Sequence, residues 1–384
     1  MSAFEVKAFE LTELRLHRSE KWREFPTDVL PLPVAEMDFP VAAPIRNLLM
    51  EMVSRSDLGY LGPIPEVALG FESFAKKRWG WSADPNQIHI ATDVGVGVVE
   101  VLRLFTSPND RVLINSPVYH NFNTWIQETR LVKVDVPFVQ DEGEWKLDLG
   151  AVEEAYRSGV KAHLLCNPHN PIGYVYSKTE LLRIAELARE YSVNVISDEI
   201  HGPLTYSEST FIPFLSLGPI AEEVGIVVTA ASKAWNIAGL KCAIVISQSA
   251  KMDGLLKRLP IATHYRASLL GGFATAVAYS EGEEWLDGVL KTLDSNRYLL
   301  RDLLDKKIPE VKYRVPNCTY LAWLDFEALD IGRNPSEVLL DRGRVALSPG
   351  KVFSPKTASF VRLNFATSPE ILTEAVDRMV VAIS

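Results

Sequence analysis

Between residues 88 and 247 short apolar runs alternate with amphipathic stretches, and that rhythm predicts a particular class of sheet. The runs "IHIAT", "RVLINSP", "LVKVDVPF", "AHLLCNP", "NVISDE", "GIVVTA" and "CAIVIS" have strand length and β-branched content. In the intervening "SKTELLRIAELAREYS", Ser177 and Glu180 stand at capping-box spacing, and Leu181, Ile184, Leu187 and Ala188 make one helical face. Strands alternating with helices predict an α/β fold, a mainly parallel sheet sandwiched by helices. Ligands of such sheets bind beyond the carboxyl ends of the strands. The residues directly after each strand are therefore where chemistry is expected.

The pattern changes on both flanks. Residues 20–40, "EKWREFPTDVLPLPVAEMDFP", are proline-rich and lack a helical period, which predicts an extended arm. Helical patterns follow over 41–55 and 64–79. Beyond 250 comes a helical zone over 270–306, then "VKYRVPNCTYLAWLDF", a helix over 335–343 and "FVRLNFATS". A last helix is opened by Ser368 as N-cap with Pro369 in its first turn. The expected division is an arm with part of a small domain over 1–50, a large domain over 51–290 and a small α+β domain over 291–384.

Composition narrows the partners. With 47% hydrophobic residues and 23% charged, the 384-residue chain can bury a large core. A net charge of -9 argues against a nucleic-acid partner, whose backbone attracts basic surfaces. The charged start, "MSAFEVKAFELTELRLHRSEKW", has no signal-peptide core, and no apolar run has membrane-spanning length. Cys166, Cys242 and Cys318 fit neither a disulfide framework nor metal-ligand spacing. A cytoplasmic protein without a metal or membrane partner is expected.

Five strand ends carry candidate chemistry. After "IHIAT", Asp93 to Gly97 lead into a helix whose backbone N–H groups can meet an anion, although glycines at such turns are common. After "RVLINSP" comes Tyr119, which can stack on a flat ring or pack on the sheet. After "AHLLC", the stiff turn "NPHNPIG" presents the amide of Asn170. Asp198 ends "NVIS", as a helix cap, a surface group or a partner for a buried cation. After "GIVVTA", Lys233 sits among Ala230, Ala231, Ser232 and Ala234, where an ammonium is costly unless paired or chemically used. A cofactor with a phosphate, a flat ring, a phenolic oxygen, a ring nitrogen and an aldehyde would use all five. Pyridoxal phosphate is that molecule, and it makes Lys233 the Schiff-base lysine.

The order and spacing of "NPHNPIG", "SDEIH", "SKAWNIAGLK" and "FVRLNF" resemble the fold-type I pyridoxal phosphate enzymes of the class I and II aminotransferase group. Within that group "VAEMDFP", "SDEIH", "SKAWNIAG" and "EGEEWLDGVLKTLDSNR" resemble the cystathionine β-lyase, or C–S lyase, branch. The resemblance implies that Lys233 carries the cofactor and the proton, and that Asp198 keeps the pyridine nitrogen protonated. It implies that Tyr119 stacks on the ring, that Asn170 holds the phenolic oxygen, and that Val94, Gly95 and Ser232 bind the phosphate. Tyr60 is implied to reach the phosphate of a neighbouring subunit, hence a homodimer with shared sites. Arg362 is implied to grip the substrate α-carboxylate, with Ala35 lining it. Two positions depart from many aminotransferases: Lys241 replaces a phosphate-binding arginine, and His201 replaces a tyrosine facing the phenolic oxygen. His201 is a feature of the lyase-like branch.

The implied activity is cleavage of cystathionine or another cysteine S-conjugate to pyruvate, ammonia and a thiol. An amino-acid aminotransferase is the alternative enzyme, and a cofactor-binding regulator without catalysis is the alternative of another class. Intact Lys233, Asp198 and Arg362 speak against the last.

Overall fold

The computed structural model describes residues 5–384 except 142, 330 and 333. Its largest sheet is built from seven strands: β1 (Ile88–Ala91), β2 (Arg111–Ile114), β3 (Val132–Asp135), β4 (Ala162–Cys166), β5 (Asn194–Asp198), β6 (Gly225–Thr229) and β7 (Ala243–Ile246). Their spatial order is β1-β7-β6-β5-β4-β2-β3. All neighbours run parallel except β7, which is antiparallel to both β1 and β6. The expected mainly parallel sheet is thus observed, with every strand where the apolar runs placed it.

The two-residue period of the strands sorts their side chains onto two cores. Leu165, Val195, Val227 and Ile244 face one cluster with Leu181, Ile184 and Leu187 of the helix Lys178–Glu190. Leu164, Ile196, Val228 and Val245 face a second cluster with Val98, Val101 and Leu102 of the helix Val94–Phe105. The helix Lys178–Glu190 begins with the capping box of Ser177 and Glu180.

A four-stranded antiparallel sheet combines β8 (Lys312–Tyr313), β9 (Leu321–Asp325), β10 (Ser348–Pro349) and β11 (Phe360–Asn364) in the order β8-β9-β11-β10. Helices Pro335–Gly343 and Pro369–Ile383 match their expected positions, the latter capped by Ser368. The expected division at 290–291 falls inside one continuous helix, Glu283–Lys307.

The arm joins this second sheet region. Leu30–Pro31 pairs in parallel with Val345–Ala346. Its start differs from expectation, because Glu20–Arg23 forms one helical turn rather than extended chain. The reason is tertiary. Lys21 is fully buried against Asp38 at 2.7 Å, and the Trp22 indole donates to the same carboxylate at 3.1 Å. No period in four residues can announce such a pair.

Candidate active site

One cavity of about 1040 Å³ lies beyond the carboxyl ends of the parallel strands. It is lined by Val94, Gly95, Tyr119, Asn170, Asp198, His201, Ser232, Lys233, Lys241, Arg362 and the arm residue Ala35. Eleven of the twelve residues singled out in the sequence therefore meet in one place. Each large-sheet contribution follows from a strand ending there: β1 before Val94, β2 before Tyr119, β4 before Asn170, β5 at Asp198 and β6 before Lys233.

At one wall the helix Val94–Phe105 points its N-terminus into the cavity. Asp93 caps it by accepting from Val96 N at 2.9 Å, and its other oxygen holds Lys241 at 3.1 Å. The first-turn N–H groups of Val94 and Gly95 have no partner within the helix and are suited to an anion. Gly95 is small for a reason: an added Cβ would lie 3.0 Å from the Trp125 indole nitrogen.

Charge is concentrated at the centre. Lys233 is partly buried, and its Nζ donates to the Ala35 carbonyl at 2.9 Å. Burial first, and the Arg362 cation second, push its pKa down to about 8. Burial pushes the Asp198 carboxyl up to about 7, against the opposing pull of the Ile200 N–H and the charge of Lys233. An unpaired carboxylate here is expensive, so the position favours a cationic partner. Burial likewise holds His201 neutral, down to about 3, and its Nδ1 has no hydrogen-bond partner among the described residues.

Arg362 projects from β11 with its guanidinium 4.9 Å from the Phe353 ring centroid. Its Nη atoms donate to the Asn170 side-chain oxygen at 3.3 Å, the Pro33 carbonyl at 2.9 Å and the Ser348 hydroxyl at 3.4 Å. Its Nε is buried without a partner among the described residues. Among the described residues no carboxylate makes a salt bridge with it, so it offers a site for a carboxylate that arrives with a ligand.

The residues fit pyridoxal phosphate. A helix N-terminus with Ser232 and Lys241 suits its phosphate, Asp198 its ring nitrogen, Asn170 and His201 its phenolic oxygen, and Lys233 its aldehyde. The remaining singled-out residue, Tyr60, is 92% exposed and does not line this cavity. Sequence reasoning missed Tyr320, Asn236 and Asn364, which reach the arm backbone beside Lys233 and Arg362. Asn236 and Asn364 sit inside the quoted motifs "SKAWN" and "RLN", but their partners lie 199 and 330 residues away.

The profile of the family described as "Aminotransferase class I and II" matches residues 69–379. A Mycobacterium tuberculosis protein provisionally named cystathionine beta-lyase is 42% identical, the match covering 97% of each chain. Cystathionine beta-lyase of Corynebacterium glutamicum is 35% identical, over 96% of this chain and 98% of that protein. The crystal structure of cystalysin from Treponema denticola, which contains pyridoxal 5'-phosphate, superposes with a TM-score of 0.92 at 28% identity, covering 100% of this chain and 99% of that one.

Proposed function

The chain belongs to the aminotransferase class I and II family, and we propose that it is a pyridoxal phosphate-dependent carbon–sulfur β-lyase. Its substrates on this reading are cystathionine or related cysteine S-conjugates, cleaved with water to pyruvate, ammonia and a thiol. The observation that carries the reading is the convergence of Lys233, Asp198 and Arg362 in one cavity. The names of the similar proteins favour the lyase over the aminotransferase.

The bound cofactor supplies an aldehyde for amino groups and an electron-accepting ring that acidifies the substrate α-carbon. The protein does the rest. Lys233, lowered to about 8, has about a tenth of its amine neutral at pH 7, far more than a solvated lysine, and can take and return a proton at the α-carbon. Asp198 would gain a partner for its costly buried charge by holding a protonated ring nitrogen, which would keep the ring electron-poor. Arg362 orients the substrate through its α-carboxylate, with the guanidinium that lines the cavity. Asn170 and His201 would hold the phenolic oxygen, and Tyr119 would lie against the ring. Val94, Gly95, Ser232 and Lys241 would fix the phosphate, with Lys241 acting as a point charge rather than a fork.

A homodimer with shared sites belongs to this reading. Support comes from Tyr60, which is almost fully exposed outside its own chain's cavity. The exposed Leu69 and Ile261 also line an apolar groove beside the edge strand β1.

The test is thiol release. The cofactor-loaded protein is expected to liberate free thiol from cystathionine at many turnovers with no keto acid present. Thiol release no faster than from the Lys233→Ala protein would refute the lyase reading.

A further inference from the structure

Five consecutive arm residues are gripped by side chains, and the grips surround the reacting lysine. The Pro33 carbonyl accepts from Arg362 Nη2 and Ser348 Oγ, each at 2.9 Å. Asn364 Nδ2 donates to the carbonyls of Val34 at 2.7 Å and Glu36 at 2.6 Å. The Ala35 carbonyl between them accepts from Lys233 Nζ and the Tyr320 hydroxyl, both at 2.9 Å. Lys21 adds a bond to Glu36 O at 3.3 Å. Asn236 clamps Met37 at both ends, accepting from its N–H at 2.9 Å and donating to its carbonyl at 2.8 Å.

Such a set is more than is needed to hold an arm down. A two-residue β-pairing at Leu30–Pro31 and the buried Lys21–Asp38 pair already anchor its two ends. Two of the grips sit within the same motifs as the reacting residues. Asn236 lies three residues after Lys233, and Asn364 two after Arg362 on the same strand. The Asn364 amide is itself oriented, because its Oδ1 accepts from Ala366 N at 2.8 Å and so turns Nδ2 toward the arm. Asn236 stands at φ 57°, in the left-handed region that asparagine tolerates better than most residues.

We propose that residues 33–37 form a strap whose Ala35 carbonyl docks the free amine of Lys233, and that Asn236 and Asn364 are positioning residues that hold this carbonyl. Whenever Lys233 carries its free amine, one N–H bonded to Ala35 fixes the direction of the nitrogen lone pair. Tyr320 occupies the second acceptor position of the same oxygen, so the carbonyl cannot turn away. Bonding to a carbonyl also favours the ammonium over the neutral amine. The strap therefore holds Lys233 more basic than burial and Arg362 alone would, alongside the raising charges of Glu36, Asp198 and Glu20.

This inference rests on Lys233 being the cofactor-bearing lysine, and the test separates the two. The variants are Asn236→Gly, which tolerates the left-handed backbone while deleting the amide, and Asn364→Ala, which releases the strap from the other side without touching the Lys233 segment. Two rates are read. The first is capture of pyridoxal phosphate by the apoprotein at pH 7, followed by absorbance. The second is exchange of the α-proton of L-alanine, which has no leaving group, into heavy water on the loaded protein.

In both variants capture is expected to rise about threefold, as Lys233 loses an acceptor that favoured its charged form. Proton exchange is expected to fall about tenfold, as the amine loses its fixed direction. A merely structural role would move both rates down together, along with thermal stability, and that result overturns the proposal. So do unchanged rates, or opposite shifts confined to Asn236→Gly. If the Lys233→Ala apoprotein captures cofactor with the wild-type absorbance, the assignment of the lysine itself fails instead.

Discussion

At the residue scale, the site works by placing charges where burial makes them expensive until a ligand partners them. Lys233 is the clearest case, since a solvated lysine would be a poor base at neutral pH and this one is held down to about 8. Because only the neutral amine attacks an aldehyde, cofactor capture by the wild-type apoprotein should rise about tenfold per pH unit below the lysine's pKa and level off above it. A plateau near pH 8 is the expected profile, whereas a rate still climbing at pH 10 would show an unperturbed lysine. Replacing Lys233 with alanine should abolish the absorbance of the lysine-bound cofactor and lower turnover by about 10³-fold or more. An unchanged spectrum would remove the residue from its role.

At the scale of elements, the helix Val94–Phe105 links stability to the site, because its N-terminus forms one wall of the cavity. It lies close on the sheet at Gly97, where an added Cβ would stand 3.0 Å from Val228 Cγ1 and 3.2 Å from Val245 Cγ2. Gly97→Ala should therefore lower stability by about 1–3 kcal/mol in denaturant unfolding. It should also weaken cofactor affinity, since the helix must shift to admit the methyl group; full wild-type affinity would mean that the wall is not set by this packing. The same elements show what the chain reveals and what it hides. Strand ends carry their own signal, since an apolar run followed by Asp198, Asn170 or Lys233 places that residue at the sheet edge without further knowledge. The arm carries none. The Lys21–Asp38 pair spans 17 residues, and the grips of Asn236, Tyr320 and Asn364 on residues 34–37 span 199 to 330. Such contacts have no periodicity, and an asparagine that clamps a backbone reads like any polar loop residue. The helical turn at Glu20–Arg23 was hidden for the same reason.

At the scale of the whole molecule, the cavity draws on three parts of the chain: the parallel sheet, the arm and β11. On the proposed homodimer, the exposed Tyr60 would add a fourth contribution, from a second copy. A shared site makes a specific demand: inactive Tyr60→Ala and Lys233→Ala chains, mixed and allowed to exchange subunits, should regain activity in the heterodimer. One of its sites would combine an intact lysine from one chain with an intact tyrosine from the other. Sedimentation at the mass of a single chain, or no regain on mixing, would contradict the shared site. The central claim, however, is the reaction, and both readings of the cavity begin with loss of the same α-proton. They part in what must be supplied afterwards. An aminotransferase stops after one half-reaction unless a keto acid restores it, whereas β-elimination returns the protein ready for the next substrate. The most direct measurement is pyruvate formed per active site from L-cystathionine with cofactor and no keto acid. Linear pyruvate release far beyond one equivalent is the result expected here; no pyruvate, or a single equivalent that resumes only on adding a keto acid, would contradict the β-lyase.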